Sequence, residues 1–144
     1  MNRFALLLAF SFLNFSLSTS AQDNKASSDD STAVQATVRD YIEAYYTGDS
    51  RRMAQTLHPH YLKHMIHNSI PVREKTGQQM VQEVRKNGVP DIPQADRTEQ
   101  VIVLDISGTI ASAKLVTPHW VDYMTLSKLD GGWKILSVVQ RIDN

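Results

Sequence analysis

The chain has no cysteine among its 144 residues. Disulfides, thiolate metal sites and lipid attachment at a cysteine are excluded, so its apolar core alone must hold the fold. There is no surplus of charge either: 15 Lys and Arg stand against 15 Asp and Glu. Without a basic excess or run, neither nucleic acid nor a membrane surface is expected as a partner. Long hydrophobic runs are also missing. The main one, Phe4 to Phe15, is broken by Ser11 and Asn14 and falls short of the about 20 residues that cross a bilayer. No internal repeat is visible.

What the start does have is the layout of a secretory signal. Arg3 supplies the positive charge, the apolar run follows, and Thr19-Ser20-Ala21 places small residues three before and one before a cut. Cleavage after Ala21 and a periplasmic or secreted mature protein are expected. Residues 1–21 are read as a signal peptide, 22–31 as a disordered polar spacer, and 32–144 as one domain. The 123 residues left after the cut suit a single core.

Periodicity divides that domain in two. Val34, Val38, Tyr41, Ile42 and Tyr45 recur at helical intervals after a cap at Asp30 or Ser31, and Gly48 ends the helix. Asp49 caps a shorter helix carrying Met53 and Leu57, which stops before Pro59. Tyr61 to His67 reads as a strand, Gly77 to Asn87 as a helix stopped by Gly88, and Val89 to Arg97 as a loop. Four strands are then expected over 101–104, 109–116, 120–129 and 133–141, joined by turns at Ser107-Gly108, Pro118 and Asp130-Gly131-Gly132. Helices first and an antiparallel meander later make an α+β layout, with helices on one face of a curved sheet.

Four segments carry a family resemblance: Asp40 to Asp49, Leu57-His58-Pro59, Val121 to Leu126, and Asp130 to Leu136. Together they resemble the nuclear transport factor 2-like superfamily, nearest its lumazine-binding branch, with SnoaL-like cyclases and ketosteroid isomerases as relatives. The resemblance spans residues 32 to 142. It implies a cone-shaped α+β fold, N-terminal helices on a curved, mostly antiparallel sheet, and a homodimer paired through the outer sheet face. Apolar residues on both faces of the last strand agree with such pairing: Trp133, Ile135 and Val139 on one, Leu136 and Val138 on the other.

The resemblance also implies site positions. In the isomerase branch a first-helix tyrosine and a late-strand aspartic acid donate hydrogen bonds to a developing oxyanion. Tyr41 and Asp122 match those positions, whereas the general-base position falls on or next to Met65, which cannot take a proton. Strand alternation puts Tyr61, Lys63 and His67 on the Met65 face, and Trp120, Asp122, Met124 and Leu126 on one face of the later strand. A pocket lined by Tyr41, Tyr45, Met65, His67, Trp120, Asp122 and Met124 is therefore expected, suited to a small apolar or aromatic ligand.

Four of the five histidines fall between His58 and His67. His64 and His67 point to opposite strand faces, no helical HExxH is present, and no carboxylate lies among the four, so neither metal nor cofactor is expected. Three functions stay open: an exported binding module, an isomerase, dehydratase or cyclase using Tyr41 and Asp122 with His67 as base, and a structural or interaction domain.

Overall fold

A computed structural model describes residues 19–142, with side chains from residue 28. All but the last three residues of the expected signal peptide lie outside the described residues. Helix α1 spans Thr19–Thr47. Its backbone is helical across 22–31, the segment read above as a polar spacer. The segment holds no proline or glycine to stop a helix propagating backward from its packed half. Asp30 is accordingly not a cap. Its carboxylate accepts hydrogen bonds from Trp133 Nε1 at 3.2 Å and Lys128 Nζ at 2.9 Å, tying the helix to the sheet.

Val34, Val38, Tyr41 and Ile42 are buried along one face of α1. Gly48 ends it at φ +67°, and a Cβ there would lie 2.5 Å from the Gly88 carbonyl carbon. Only glycine meets both demands, so the corner docks directly against the backbone at Gly88. Asp49 accepts from the Arg51 and Arg52 amides and caps α2, Ser50–Thr56. Leu57, expected on that helix, instead begins strand β1, Leu57–His67, where its backbone is extended and pairs with Ile135.

The chain then turns through Asn68 and Ser69, both at positive φ, into a strand the sequence did not announce: β2, Ile70–Thr76. Every β2 residue but Lys75 is exposed, and Pro71 sits within it. An edge strand needs no alternation and tolerates proline. Thr76 and Gln79 form a capping box that starts α3, Gly77–Asn87. The loop beyond holds a single 3-10 turn, Gln94–Asp96.

Strands β3 (Gln100–Ser107), β4 (Ile110–Val116), β5 (Trp120–Leu129) and β6 (Gly132–Ile142) follow as an antiparallel meander. The sheet order is β2-β1-β6-β5-β4-β3, and β1 runs parallel to β6. An extra residue on β6, Leu136, shifts the register between Thr125 and Leu126. That bulge reverses the alternation expected for β6. Trp133, Ile135, Val138 and Gln140 are buried, and Val139 faces out. Helix α1 covers β3, β4 and β6, while α3 covers β1 and β2. Among the described residues the arrangement is an α+β fold with three helices on one face of a six-stranded mixed sheet.

Candidate functional site

Between α1, α3 and the inner side of the β1–β2 hairpin lies a cavity of about 250 Å³. Its apolar wall is built by Tyr41 and Tyr45 from α1, Met65 from β1, Trp120 from β5 and Ile142 from β6. Tyr45 meets Trp120 edge to face, with ring centroids 5.7 Å apart at 86°, an arrangement that satisfies the ring quadrupoles. Four of the seven expected site residues, Tyr41, Tyr45, Met65 and Trp120, thus line one space.

The other three do not. Met124 is 2% exposed in the core, between Ala113 and Val138 in register and four residues along β5 from Trp120, which lines the cavity. His67 also lies outside the cavity wall. An extra residue on β2 breaks the register between Met65 and Ile66, the strand bends there, and the His67 ring meets Asn68 Nδ2 at 3.2 Å at the hairpin tip. Asp122 is fully buried just behind the wall. Lys63 Nζ stands 3.5 Å from its Oδ1, but neither carboxylate oxygen takes a hydrogen bond of good geometry among the described residues.

Lys63 is the residue that organises this floor. It is 4% exposed, and its Nζ donates to the Tyr41 hydroxyl at 3.1 Å. The Tyr41 and Tyr61 hydroxyls lie 3.4 Å apart, which makes a buried chain Tyr61–Tyr41–Lys63–Asp122. Burial pushes the Tyr41 phenol well above its ordinary range, and the nearby Asp122 adds to the shift; burial also raises Tyr61. Both therefore stay protonated hydroxyls, able to donate. Burial likewise raises the Asp122 carboxyl, although Lys63, Gln140 and Trp120 pull it down. Desolvation outweighs the ion pair here because the 3.5 Å contact is long for a charge-assisted hydrogen bond.

Alternation alone placed Lys63 on the cavity side. Its meeting with Asp122 was not readable, because it needs β1 to lie parallel beside β6, two strands from β5. Gln140 reaches the wall only through the Leu136 bulge. Arg73 and Lys75 line it from the unannounced β2, and Glu83 from α3. The histidines disperse: His64 pairs with Glu74 at 3.0 Å, and His58 and His60 lie at the exposed start of β1. Among the described residues no three His, Asp or Glu converge as metal ligands do. The site can hold a flat molecule between aromatic walls and offer it hydroxyl, ammonium and amide donors. Among the described residues it presents no histidine and one wall carboxylate, Glu83, which is held by Lys75 at 2.6 Å.

Residues 29–140 match the model of the family described as "Putative lumazine-binding". The chain belongs to that family. Among solved structures, it is similar to a nuclear transport factor 2-like protein of unknown function from Silicibacter pomeroyi. The identity is 16%, the TM-score 0.66, and the match covers 81% of this chain and 98% of that one. A second such protein of unknown function, from Methylobacillus flagellatus, is 20% identical with TM-score 0.63, covering 81% and 94%. A third, from Shewanella baltica, is 19% identical with TM-score 0.64, covering 88% and 98%. At these identities the likeness establishes the nuclear transport factor 2-like fold and nothing about activity. No curated protein matches the chain. Among the described residues no helix is long and apolar enough to cross a membrane.

Proposed function

We propose that this lumazine-binding family member is an exported protein that binds a small, flat, mostly apolar molecule in the cavity beside Tyr45 and Trp120. One observation carries the reading. The wall joins aromatic and thioether groups to a buried Tyr41–Lys63–Asp122 chain whose carboxylate has no hydrogen bond of good geometry among the described residues. A fold selected only for stability would fill such a space and replace such a pair with apolar groups. The family description, which names a pteridine-type compound, supports a flat heterocycle as the ligand class. An enzyme with His67 as base has less support, since that ring lies outside the cavity wall.

The test is mass spectrometry of small molecules released from protein purified from its own host, beside a Met65→Trp variant whose indole fills the cavity. The parent should carry a compound the variant lacks. Identical extracts from the two would overturn the reading. Export rests on the start of the chain, and protein recovered outside the cytoplasm should begin at Gln22; an intact Met1 would refute it. We also infer a homodimer through the outer sheet face, where Tyr123 and Val139 sit directly opposite each other, 51% and 46% exposed. Sedimentation at micromolar concentration should give twice the mass of one mature chain, and Tyr123→Glu should halve it.

A further inference from the structure

The cavity wall is unevenly charged. Among the described residues three cationic side chains line it, Lys63 and Lys75 as direct cross-strand partners and Arg73 opposite Met65, against the single carboxylate of Glu83. Two of the three cations are answered. Lys75 pairs with Glu83 at 2.6 Å, and Lys63 faces Asp122 at 3.5 Å. Arg73 has neither an ion pair nor a hydrogen bond among the described residues. Arg73 is exposed on the edge strand, so its guanidinium borders the aromatic-walled space and is available to an incoming anion there.

Register fixes what that charge must reach. Arg73, Met65 and Gln140 lie side by side across β2, β1 and β6, and all three line the cavity. Strands stand about 4.8 Å apart, so Arg73 and Gln140 flank Met65 with backbones about 10 Å apart. An acidic group resting over the Met65 thioether can therefore take hydrogen bonds from the guanidinium on one side and the amide on the other. The planar body of the same molecule then extends toward Tyr45 and Trp120.

We propose that the cavity takes its ligand as an anion, a flat aromatic molecule bearing a carboxylate or comparably acidic group, and that Arg73 selects for it. This rests on the binding reading above and specifies its ligand class. The Asp122 carboxyl does not cancel the preference. It lies fully buried behind the wall, with the Lys63 ammonium 3.5 Å away to offset it. Glu83 opposes the preference, because it both occupies Lys75 and repels an incoming anion.

The probes are 1-naphthoate and 1-naphthamide, nearly identical in shape and different in charge, titrated calorimetrically at neutral pH and moderate salt. The amide cannot take the charge-assisted hydrogen bond, so naphthoate should bind the parent about tenfold tighter or more. Arg73→Gln, at an exposed edge strand where folding is not at stake, should abolish the difference by weakening naphthoate alone. Glu83→Gln should tighten naphthoate and leave naphthamide unmoved. Equal affinity for both probes in the parent, or a naphthoate preference that survives in Arg73→Gln, would overturn the inference. So would absence of heat from both probes, whereas the binding reading itself falls only if the parent and Met65→Trp extracts are identical.

Discussion

Two neighbouring rows of side chains cross the inner face of the sheet, and each changes character from one end to the other. One reads Lys75, Lys63, Val138, Met124, Ala113, Val103; the other reads Arg73, Met65, Gln140, Asp122, Leu115, Val101. The β3–β5 ends, apart from Asp122, are apolar and roofed by α1. The β1–β2 ends carry charge beneath α3 and the cavity, with Lys63 and Lys75 buried and Arg73 exposed at the edge. The same pleat, in the same sheet, serves two purposes. The apolar end has an evident folding role, since burying such groups drives folding. The charged end costs desolvation that a core has no reason to bear, and that difference, more than the cavity's size, marks the site.

The largest expected effect tests whether the two ends differ as cores. Leu126 is fully buried, paired with Ile135 in the roofed half. Leu126→Ala should cost about 2–5 kcal/mol, because the lost contacts leave a hole the packed neighbours cannot close. Met65 borders open space already, so Met65→Ala should cost about 1 kcal/mol from lost burial alone. Denaturant melts of the two variants measure both. Equal costs would mean that the cavity end is packed as tightly as the rest, and the contrast would collapse.

A smaller effect asks whether the buried charges act as a pair. Lys63→Met strands the Asp122 carboxyl, and Asp122→Val strands the Lys63 ammonium; each alone should destabilise. Made together they leave two apolar groups, and the double variant should lose less than the two singles combined by about 1–3 kcal/mol. Strictly additive losses would show that the 3.5 Å approach of Lys63 to Asp122 is proximity without coupling.

How far the sequence revealed this contrast depends on which physical signal each part leaves. The roofed half was legible, because Val34, Val38, Tyr41 and Ile42 repeat with the helix, and Gly48 and Gly88 mark helix ends that only φ near +65° explains. Tyr41, Tyr45, Met65 and Trp120 followed from alternation and the resemblance together. The charged half left weaker traces. Strand β2 pairs at an edge with polar residues on both faces, so it shows no period. The bulge at Leu136 inverts the last strand's faces with one residue that looks like its neighbours. The parallel meeting of β1 and β6 joins residues 57–66 to 135–141, a contact no local pattern encodes. His67 was misplaced for a related reason: a bulge on one strand bends its partner, and only the pairing shows it.

The smallest expected effect concerns the sign of one titration, and it decides which force governs the boundary between the two ends. Burial raises the Asp122 carboxyl above its ordinary value, and the attraction of Lys63 is already inside that balance. The folded chain therefore holds a proton that the unfolded chain, titrating at about 3.9, has released. Between those two values the native state binds more protons, so stability falls as pH rises. The proton-linked stabilisation is complete below the unfolded value and gone once pH has passed the folded one. Asp122→Asn keeps the shape and removes the ionisation, so the variant is indifferent to this window. Whatever its offset from the parent at pH 4, that offset should move in the variant's favour by pH 7, while other groups titrate alike in both proteins. Paired denaturant melts at the two pH values measure the change. If instead the parent gains on the variant as pH rises, Asp122 is ionised and drawn down by Lys63, and the ion pair rather than desolvation sets the floor of this cavity.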